Sequence, residues 1–342
     1  MKASPETLDL RLNALAPFVS GRWCSAEAFQ RALTIAANFP AEFATHFVLE
    51  NRLNAPEEVD LSLSSRMDHE SASDWGLSNS FLENGHWQNL STFHDVFRNK
   101  SAPYYINVIG AEFDEGAAQQ SPPIPSVFFM LRNGKKGLQY HAGQKALASR
   151  YVEDISRASL MLNGAGFSDA LEERLPAILK AFRPTMYVFL TAFLLARHVD
   201  YLRICICINK AEDLTGFLKD IGWVNETGAL ELAPFLAEQT SKLIVHLDVG
   251  KSLSPRIGFE CYFEKDGVYE MPADFRAMLT SDMGCAPAQL GLLDTMQRQY
   301  YYQFPYTTQA AQLNLKPSHI KLSFDPARPP LVKSYLSLRT KS

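Results

Sequence analysis

The sequence predicts an α/β fold in which ten antiparallel strands close into one barrel surrounded by helices. The main observation is a rhythm of two helical stretches followed by two strands, which occurs five times along the 342 residues. Successive strand pairs start roughly 60–75 residues apart, a spacing that is typical of a repeated supersecondary unit. A second observation is that each strand can pair with the next, so that closing the sheet leaves no unpaired edge.

The helices are predicted from one-sided apolar patterns. In the first unit, Leu8 and Leu12 lie one helical turn apart, and Phe29 and Leu33 do so in the second stretch. Helices that cover the outside of a barrel need one apolar face. The predicted helices span residues 5–18, 25–38, 74–82, 88–98, 144–162, 168–182, 211–221, 230–240, 272–282 and 287–298.

The strands are predicted from short alternating segments that follow each helix pair. Alternation of apolar and polar residues is the period of a strand with two different faces. The predicted strand pairs are residues 45–50 with 59–64, 106–113 with 126–131, 187–194 with 202–208, 243–249 with 258–264, and 320–324 with 332–338.

One face of most predicted strands carries polar residues. The face under the helices must be apolar, so the polar face is expected to line the lumen of the barrel. The residues predicted to face the lumen include Glu50, Asp60, Glu112, Tyr187, Arg203, His246, Asp248, Glu260, Tyr262, Lys321, Lys333 and Tyr335. Polar side chains from most strands would converge on one axis, which predicts a solvent-accessible binding site inside the barrel.

Length, charge and composition narrow the class of protein. Barrels of this kind often extend over such a length as one domain, and we predict a single domain over residues 1–342 because no linker divides them. The net charge of −4 argues against nucleic acid as a partner. The sequence has no long apolar segment and no secretory signal, and its five cysteines are scattered, so we expect a cytoplasmic protein with free thiols and no membrane partner.

Metal and cofactor motifs are absent from the sequence. None of the usual phosphate-loop, dinucleotide, zinc-protease or serine-hydrolase patterns occurs. Cys205 and Cys207 share one strand face near His246 and Asp248, and four such side chains are a ligand set suited to zinc. Ligands two residues apart on a strand lie about 6–7 Å apart. We therefore predict no metal site, and interpret the thiols as small buried side chains.

The final strand pair carries the most specific pattern. Residues 319–326 are His-Ile-Lys-Leu-Ser-Phe-Asp-Pro, and residues 331–336 are Leu-Val-Lys-Ser-Tyr-Leu. Lys321, Lys333 and Tyr335 in these segments resemble the Lys-x-Tyr strands of the PT-barrel, or ABBA, aromatic prenyltransferases. The five repeated units resemble the same family, in which ten antiparallel strands enclose a solvent-filled lumen. The resemblance covers the whole chain as topology and the last strand pair as a motif.

The resemblance implies a prenyltransferase that transfers an isoprenoid from an allylic diphosphate to an aromatic or peptide side-chain acceptor inside the barrel. Basic side chains would neutralise the diphosphate, and tyrosines would donate hydrogen bonds and shield the allylic cation. The residues implied in these roles are Arg203, Lys321 and Lys333 as cations, and Tyr187, Tyr262 and Tyr335 as shields.

Two carboxylates are predicted to be catalytic. Glu50 matches, by its position on the first strand, the carboxylate that orients the acceptor in the indole-using members of the family. Glu112 has the same lumenal position on the third strand. A carboxylate at such a place can accept the proton that the acceptor loses on alkylation.

An acidic group of residues leaves a second function open. Asp60, Glu112, Asp248 and Glu260 are predicted to make part of the lumen acidic, and with His246 they are candidate substrate-binding residues. Carboxylates repel a diphosphate unless Mg²⁺ bridges the two, so Mg²⁺ is the one cofactor that the resemblance leaves open. The alternative is a PT-barrel protein that does not prenylate and instead binds or modifies a basic peptide in natural-product maturation.

Overall fold

The computed structural model describes residues 6–55, 58–66, 77–97, 104–133, 145–197, 199, 201–224, 226–303 and 311–341. The strands are β1 (His46–Arg52), β2 (Val59–Arg66), β3 (Tyr104–Phe113), β4 (Ser126–Asn133), β5 (Tyr187–Phe193), β6 (Tyr201–Ile208), β7 (Lys242–Gly250), β8 (Leu253–Tyr262), β9 (Glu264–Lys265), β10 (Val268–Tyr269), β11 (Arg298–Tyr302), β12 (Ala311–Asp325) and β13 (Arg328–Lys341).

The helices alternate in pairs with the strands. They are α1 (Leu8–Asn13), α2 (Ala16–Val19), α3 (Ala26–Ala36), α4 (Asn79–Leu82), α5 (Gly85–Phe97), α6 (Lys145–Asn163), α7 (Asp169–Lys180), α8 (Ala211–Asp220), α9 (Ala229–Gln239), α10 (Ala273–Ser281) and α11 (Pro287–Thr295). The parts of the predicted helices outside the described residues are 5, 74–76, 98 and 144.

The main strands form one antiparallel sheet that closes on itself. Around the sheet the order is β1 to β8, then β12, then β13, which pairs again with β1. Closure depends on β12, which pairs with β8 through Ile320 opposite Cys261. In the described part of the chain the barrel therefore has ten antiparallel strands in sequence order, which confirms the predicted fold class.

Three short strands are additions that the sequence analysis missed. β11 pairs with the first half of β12, where Tyr300 lies opposite Leu313, and β9 and β10 form a separate hairpin. The predicted helix 287–298 is wrong at its end, because α11 stops at Thr295 and the chain turns directly into β11.

The last two strands are longer than predicted. Leu313 and Leu315 continue the buried alternation of β12 well before residue 320, the predicted start. Pro317, inside β12, lies at a register shift in the pairing with β13, a position that tolerates a residue without an N–H.

The helices cover the outside of the barrel with apolar side chains. The side chain of Ser25 caps α3 by accepting a hydrogen bond from the N–H of Ala28 at 3.1 Å. The buried face of that helix includes Phe29, Ala32 and Ile35. No helix in the described ranges is both long and apolar enough to cross a membrane.

The predicted first helix is two short helices. Pro17 lies in the first turn of α2, where a missing N–H is tolerated. A proline inside one continuous helix would remove a hydrogen bond and clash with the carbonyl four residues before it. The chain therefore ends α1 at Asn13 and starts a new helix at Ala16.

An aromatic cluster joins the helices to the barrel wall. The ring of Phe39 lies 4.7 Å from that of Phe43, 5.4 Å from that of Trp87 and 5.2 Å from that of Phe113, centroid to centroid. The indole N–H of Trp87 donates to the carbonyl of Pro123 at 2.9 Å. The hydrophobic core thus lies between the helices and the outer face of the barrel, and the inner face is left to the polar side chains.

Candidate functional site inside the barrel

The lumen holds two adjoining cavities with volumes of about 340 and 210 Å³. Side chains that line only the larger one, here called the large cavity, include His46, Val48, Ser64, Val108, Phe128, Met130, Phe189, Lys242, Glu260, Tyr262, His319, Tyr335 and Arg339. Side chains that line only the smaller one, here called the charged cavity, include Glu50, Arg197, Asp248, Arg256, Asp325, Arg328 and Lys333. Four residues line both: Glu112, Arg203, His246 and Lys321.

The two cavities follow one another along the strands. On β12, His319 lines the large cavity, Lys321 lines both cavities, and Ser323 and Asp325 line the charged cavity. This regular change at alternate residues shows that the inner face of one strand passes from one cavity to the other.

A first row of the sheet brings several predicted residues side by side. The row crosses β8, β12, β13, β1 and β2 in that order. Tyr262 lies opposite His319, and His319 lies opposite Tyr335. Tyr335 in turn lies opposite Glu50, and Glu50 lies opposite Asp60. Two tyrosines and two carboxylates that are distant in sequence therefore meet across neighbouring strands.

The neighbouring row carries the charges nearest to the junction of the cavities. Lys321 of β12 lies opposite Glu260 of β8 on one side and opposite Lys333 of β13 on the other. The two predicted lysines are thus adjacent on the inner wall, as their common strand phase predicts.

Most cations of the charged cavity already have a carboxylate partner. Arg203 donates two hydrogen bonds to Asp248, from Nε to Oδ1 at 2.7 Å and from a terminal nitrogen to Oδ2 at 3.0 Å. Arg197 contacts Asp114 at 2.6 Å and Glu112 at 3.1 Å. Bidentate pairs of this kind fix the guanidinium plane as well as the charge.

Lys333 lies between two carboxylates with different protonation. It donates a hydrogen bond to Glu50, and Asp60 is 3.8 Å away. Burial alone would raise the pKa of Glu50, but the charges of Lys333 and Lys321 and a hydrogen bond from Tyr335 hold that pKa well below its ordinary value. Burial and the neighbouring Glu50 raise the pKa of Asp60 to about 8. At neutral pH, Glu50 is therefore ionised and Asp60 mainly protonated.

Lys321 differs from Lys333, Arg203 and Arg197, which each have a carboxylate partner. Among the described residues it makes no ion pair and no side-chain hydrogen bond. Burial and the positive charge of Arg203 lower its pKa, while Glu260 and Glu50 oppose that effect. A lysine in this position gains most from an added anion, because a charge-assisted contact would offset its desolvation.

Aromatic rings form a stack along one wall of the large cavity. The imidazole of His319 lies between the rings of Tyr262, at 4.6 Å, and Tyr335, at 4.0 Å, centroid to centroid. The hydroxyl of Tyr262 donates to Glu260 Oε2 at 3.1 Å. This wall presents ring faces and edges of the kind that stabilise a cation or an aromatic ligand.

Glu260 and His246 form a buried pair at the edge of the stack. His246 Nε2 is 2.8 Å from Glu260 Oε1. Burial lowers the pKa of His246 to about 4, and Lys321 contributes to that shift. Burial alone would raise the pKa of Glu260, but the two histidines His246 and His319, with Lys321, hold it well below its ordinary value. At neutral pH the carboxylate is charged and the imidazoles are neutral.

Of the residues predicted from sequence to form the site, most line the cavities. Those that do are Glu50, Glu112, Arg203, His246, Asp248, Glu260, Tyr262, Lys321, Lys333 and Tyr335. Two do not. Asp60 lies 3.8 Å from Lys333 and accepts a hydrogen bond from the N–H of Glu115 at 3.0 Å. Tyr187 is the first residue of β5 and lies opposite Cys207. The roles assigned to these residues stay predictions.

Several lumenal cations were missed. Lys242 and Arg339 lie just beyond the predicted ends of their strands, and Arg256 lies two residues before a predicted strand start. Extending each strand at its own phase would have found them, because they continue the alternation of the inner face. Arg197 follows β5 in a short 3₁₀ turn, and Arg328 starts β13 out of phase with the inner face that Lys333 and Arg339 share, so neither had a periodic signal.

The missed residues change the charge of the lumen. The three predicted cations were fewer than the four predicted carboxylates. Among the described residues, eight lysines and arginines line the two cavities, against five aspartates and glutamates. The sequence analysis therefore counted too few lumenal cations, because the missed lysines and arginines lie outside the predicted strands. That part of the lumen is acidic stays a prediction.

The carboxylates do not fit a metal site. In the part of the chain that the structure describes, no three His, Cys, Asp or Glu side chains group as metal ligands. Asp248 is held by Arg203 and Glu50 by Lys333, so neither is available as a free oxygen ligand. We therefore derive no step through Mg²⁺ or zinc.

Comparison with known proteins gives structural matches only. No family model and no curated protein matches the sequence. The solved structures that resemble the chain include 5-dimethylallyltryptophan synthase from Streptomyces coelicolor, with 11% identity and a TM-score of 0.48 over 97% of this chain and 98% of that chain. They also include the prenyltransferase PriB in a ternary complex with L-tryptophan and dimethylallyl thiolodiphosphate, with 12% identity and a TM-score of 0.49 over 96% of this chain and 94% of that chain.

The fold itself rests on the strand order of this chain. Helix pairs alternate with strand pairs, the ten main strands pair in sequence order, and the sheet closes between β8 and β12 around a polar lumen. The resemblance drawn from the sequence is thus confirmed at the level of architecture, and the chain has the PT-barrel fold.

Proposed function

We propose that this protein transfers a prenyl group from an allylic diphosphate to an aromatic acceptor inside the barrel. The observation that carries the proposal is Lys321, a lysine without an ion-pair partner in the described part of the chain, beside Arg203 and Lys333. It lies where the charged cavity meets a cavity with apolar and aromatic walls. A ligand with an anionic head and an apolar tail fits this arrangement.

The charged cavity would hold the diphosphate. Lys321 would supply the unpaired positive charge, and Arg203 and Lys333 would add hydrogen-bond donors while keeping their present partners. When the bond between the allylic carbon and the diphosphate oxygen breaks, negative charge grows on the leaving group. Fixed cations stabilise that charge more than they stabilise the bound donor, which is the requirement for catalysis.

The large cavity would hold the prenyl chain and the acceptor. Val48, Val108, Phe128 and Met130 give the same cavity apolar surface on β1, β3 and β4. The face of Tyr335 that does not stack on His319 would stabilise the allylic cation. Tyr262, whose ring stacks on His319 and carries the ammonium of Lys242, would help to exclude water. The acceptor ring would supply the electron pair for the new bond to the allylic carbon.

The proton released by the acceptor needs a base near both substrates. Among the described residues, Glu112 is the carboxylate that lines both cavities. Arg197 donates a hydrogen bond to Glu112 Oε1, and no described side chain donates to Oε2 of the same carboxylate. Glu50 lines the charged cavity alone, is 3% exposed and is engaged by Lys333. We therefore assign proton acceptance to Glu112, and assign to Glu50 the task of holding Lys333 in place, in contrast to the acceptor role that its strand position suggests.

The alternative function, binding of a basic peptide, is disfavoured by charge. The excess of lysines and arginines in the lumen would repel a basic side chain, and the carboxylates that would attract it already have protein partners.

The experiment has two parts. Isothermal titration with dimethylallyl and geranyl diphosphate, each with EDTA and with Mg²⁺, is expected to show donor binding in both conditions. Mass spectrometry of incubations with indole- and phenol-bearing amino acids and peptides is expected to show prenylated product and free diphosphate. Absence of donor binding in every condition would overturn the proposal, and binding of a lysine-rich peptide instead would favour the alternative.

A further inference from the structure

The charged cavity reaches solvent at the end of the barrel where β12 turns into β13. Arg256 and Arg328 line this cavity and are exposed. Asp325 lies on the same rim, because it forms an ion pair with Arg256 and is opposite Arg328 in the strand register. It is also four residues after Lys321 on β12, which corresponds to about 13 Å along a strand. Arg256, Asp325 and Arg328 are here called the hairpin mouth.

The large cavity reaches solvent at the opposite end of the barrel. Arg339 lines this cavity alone, is exposed, and lies near the end of β13, the strand that starts at Arg328. In the described part of the chain, the lumen therefore has exposed lining residues at both ends. Lys321 lies between these ends, where the two cavities meet.

The charges of the hairpin mouth favour an anion. Arg256 Nε lies 2.7 Å from Asp325 Oδ2, so these two charges offset each other. Arg328 makes no ion pair within the described residues, which leaves one positive charge in excess on the rim. The cations of the charged cavity continue from this rim to Lys321, and a row of cations in a narrow passage attracts anions from solvent.

Product release requires a path for the diphosphate. In the proposed function, the diphosphate is left in the charged cavity while the prenylated acceptor occupies the large cavity. A path through the large cavity would take a highly charged anion past that product and along apolar walls, where desolvation is costly. A path to the hairpin mouth stays within the charged cavity and passes Ser323 and Asp325 of β12.

We propose that the hairpin mouth is a separate port through which inorganic diphosphate leaves the barrel. This inference rests on the proposed function, because it assumes that the diphosphate is released in the charged cavity. The consequence is that the diphosphate leaves without waiting for the prenylated product, which occupies the other end of the lumen.

The opposite charges of Arg328 and Asp325 give the port a kinetic signature, because the anion passes both residues on its way in and out. Arg328→Glu is expected to slow both the association and the release of inorganic diphosphate, about fivefold at low ionic strength. Asp325→Asn should speed both steps about twofold, since it removes the negative charge from the rim. Asparagine keeps the oxygen that accepts the N–H of Ala327, so the turn is retained. High salt should remove both differences.

The measurement is phosphorus-31 NMR of inorganic diphosphate titrated with each variant in EDTA. The line shapes give both rate constants without any catalysis. Arg339→Glu makes the same charge change at the opposite end of the lumen, and wild-type rates are expected for it. Lys265→Glu, on the β9–β10 hairpin, is the control for a charge change at an exposed site. Lys321→Gln should weaken the equilibrium binding of the anion.

Wild-type rates in both Arg328→Glu and Asp325→Asn would overturn the port, and so would slower exchange in Arg339→Glu in place of Arg328→Glu. Slower association with an unchanged release rate in Arg328→Glu would make Arg328 a ligand of the bound anion rather than part of its path, which also contradicts the port. In each of these cases, weaker binding to Lys321→Gln would leave the proposed function standing. No binding of inorganic diphosphate to the wild type would overturn both.

Discussion

At the scale of single residues, what distinguishes the lumenal lysines is whether each already has a partner. Lys333 binds Glu50, with Asp60 close by, whereas Lys321 has neighbours of its own sign in Arg203 and Lys333. A paired lysine must weaken one contact to make another. An unpaired one gains the whole of a charge-assisted hydrogen bond, which is why the two lysines differ as candidate ligands for phosphate.

Lys321→Gln is expected to weaken donor binding about ten- to a hundredfold, because a charge-assisted contact contributes about 1.5–3 kcal/mol. Lys333→Gln should cost less, since Glu50 already neutralises its charge. Titration of geranyl diphosphate into each variant measures both effects. The control is Lys265→Gln, an exposed lysine on the β9–β10 hairpin. Wild-type affinity in the Lys321 variant would show that this lysine does not bind the donor.

Asp60 makes stability depend on pH. Its pKa is raised from 3.8 to about 8 by burial and by Glu50, so the folded protein holds this proton more tightly than the unfolded chain. The stabilisation is complete below the unfolded pKa and is lost as the pH rises toward about 8. We expect the free energy of unfolding to fall between pH 5 and 8 by on the order of a few kcal/mol more in the wild type than in Asp60→Asn.

Urea denaturation at several pH values checks this prediction. Asparagine keeps an oxygen that can accept the N–H of Glu115 while it removes the ionisable group. Parallel pH profiles in the two proteins would mean that Asp60 is already ionised in the folded state and is not a neutral acid beside Lys333.

At the scale of the elements, the width of the lumen is set where β3 meets β4. Gly110 lies opposite Phe128, whose ring lies on the inner wall against the glycine. A Cβ at position 110 would overlap that ring. The absence of a side chain at Gly110 therefore lets Phe128 lie flat, and a larger residue would push the ring into the large cavity.

Gly110→Ala is expected to destabilise the protein by about 1–3 kcal/mol through overpacking, and to reduce the affinity for geranyl diphosphate more than that for dimethylallyl diphosphate. Adding Phe128→Leu to the Gly110→Ala variant should restore part of the lost stability and part of the lost affinity for geranyl diphosphate. Chemical denaturation and titration of the single and double variants measure the coupling. Gly116→Ala is the control, because a Cβ there meets nothing within 4 Å. Additive effects of the two changes would contradict the assigned contact.

At the scale of the whole molecule, the sequence was sufficient to predict the fold because two repeating patterns assign the same residues to the inner face of the barrel. The alternation within each strand and the repeat of the helix and strand pairs both specify one inner face. On β2, for example, Ser62 and Ser64 line the large cavity and alternate with Leu61 and Leu63, which are buried. Strand ends were less predictable. The residues just beyond them, such as Lys242 and His319, depend on pairing with a neighbour distant in sequence, and local pattern does not report that pairing.

The ion pairs could not be predicted from the sequence either. Which carboxylate binds which cation depends on register between strands, and Glu50 and Lys333 are adjacent because β1 pairs with β13, the last strand of the chain. The alternation along each strand placed Glu50 and Lys333 on the inner face of the barrel. It could not show which lysine has an ion-pair partner and which has none.

The central claim is that the charged cavity holds the diphosphate and the large cavity holds the prenyl chain. A crystal structure of the protein with dimethylallyl thiolodiphosphate tests this most directly, because the analogue carries the same head and tail as the donor. We expect its diphosphate within hydrogen-bond distance of Lys321 and close to Arg203 and Lys333, with the prenyl carbons beside Tyr262 and Tyr335. A diphosphate bound at Lys242, or one bound outside the barrel, would contradict the claim.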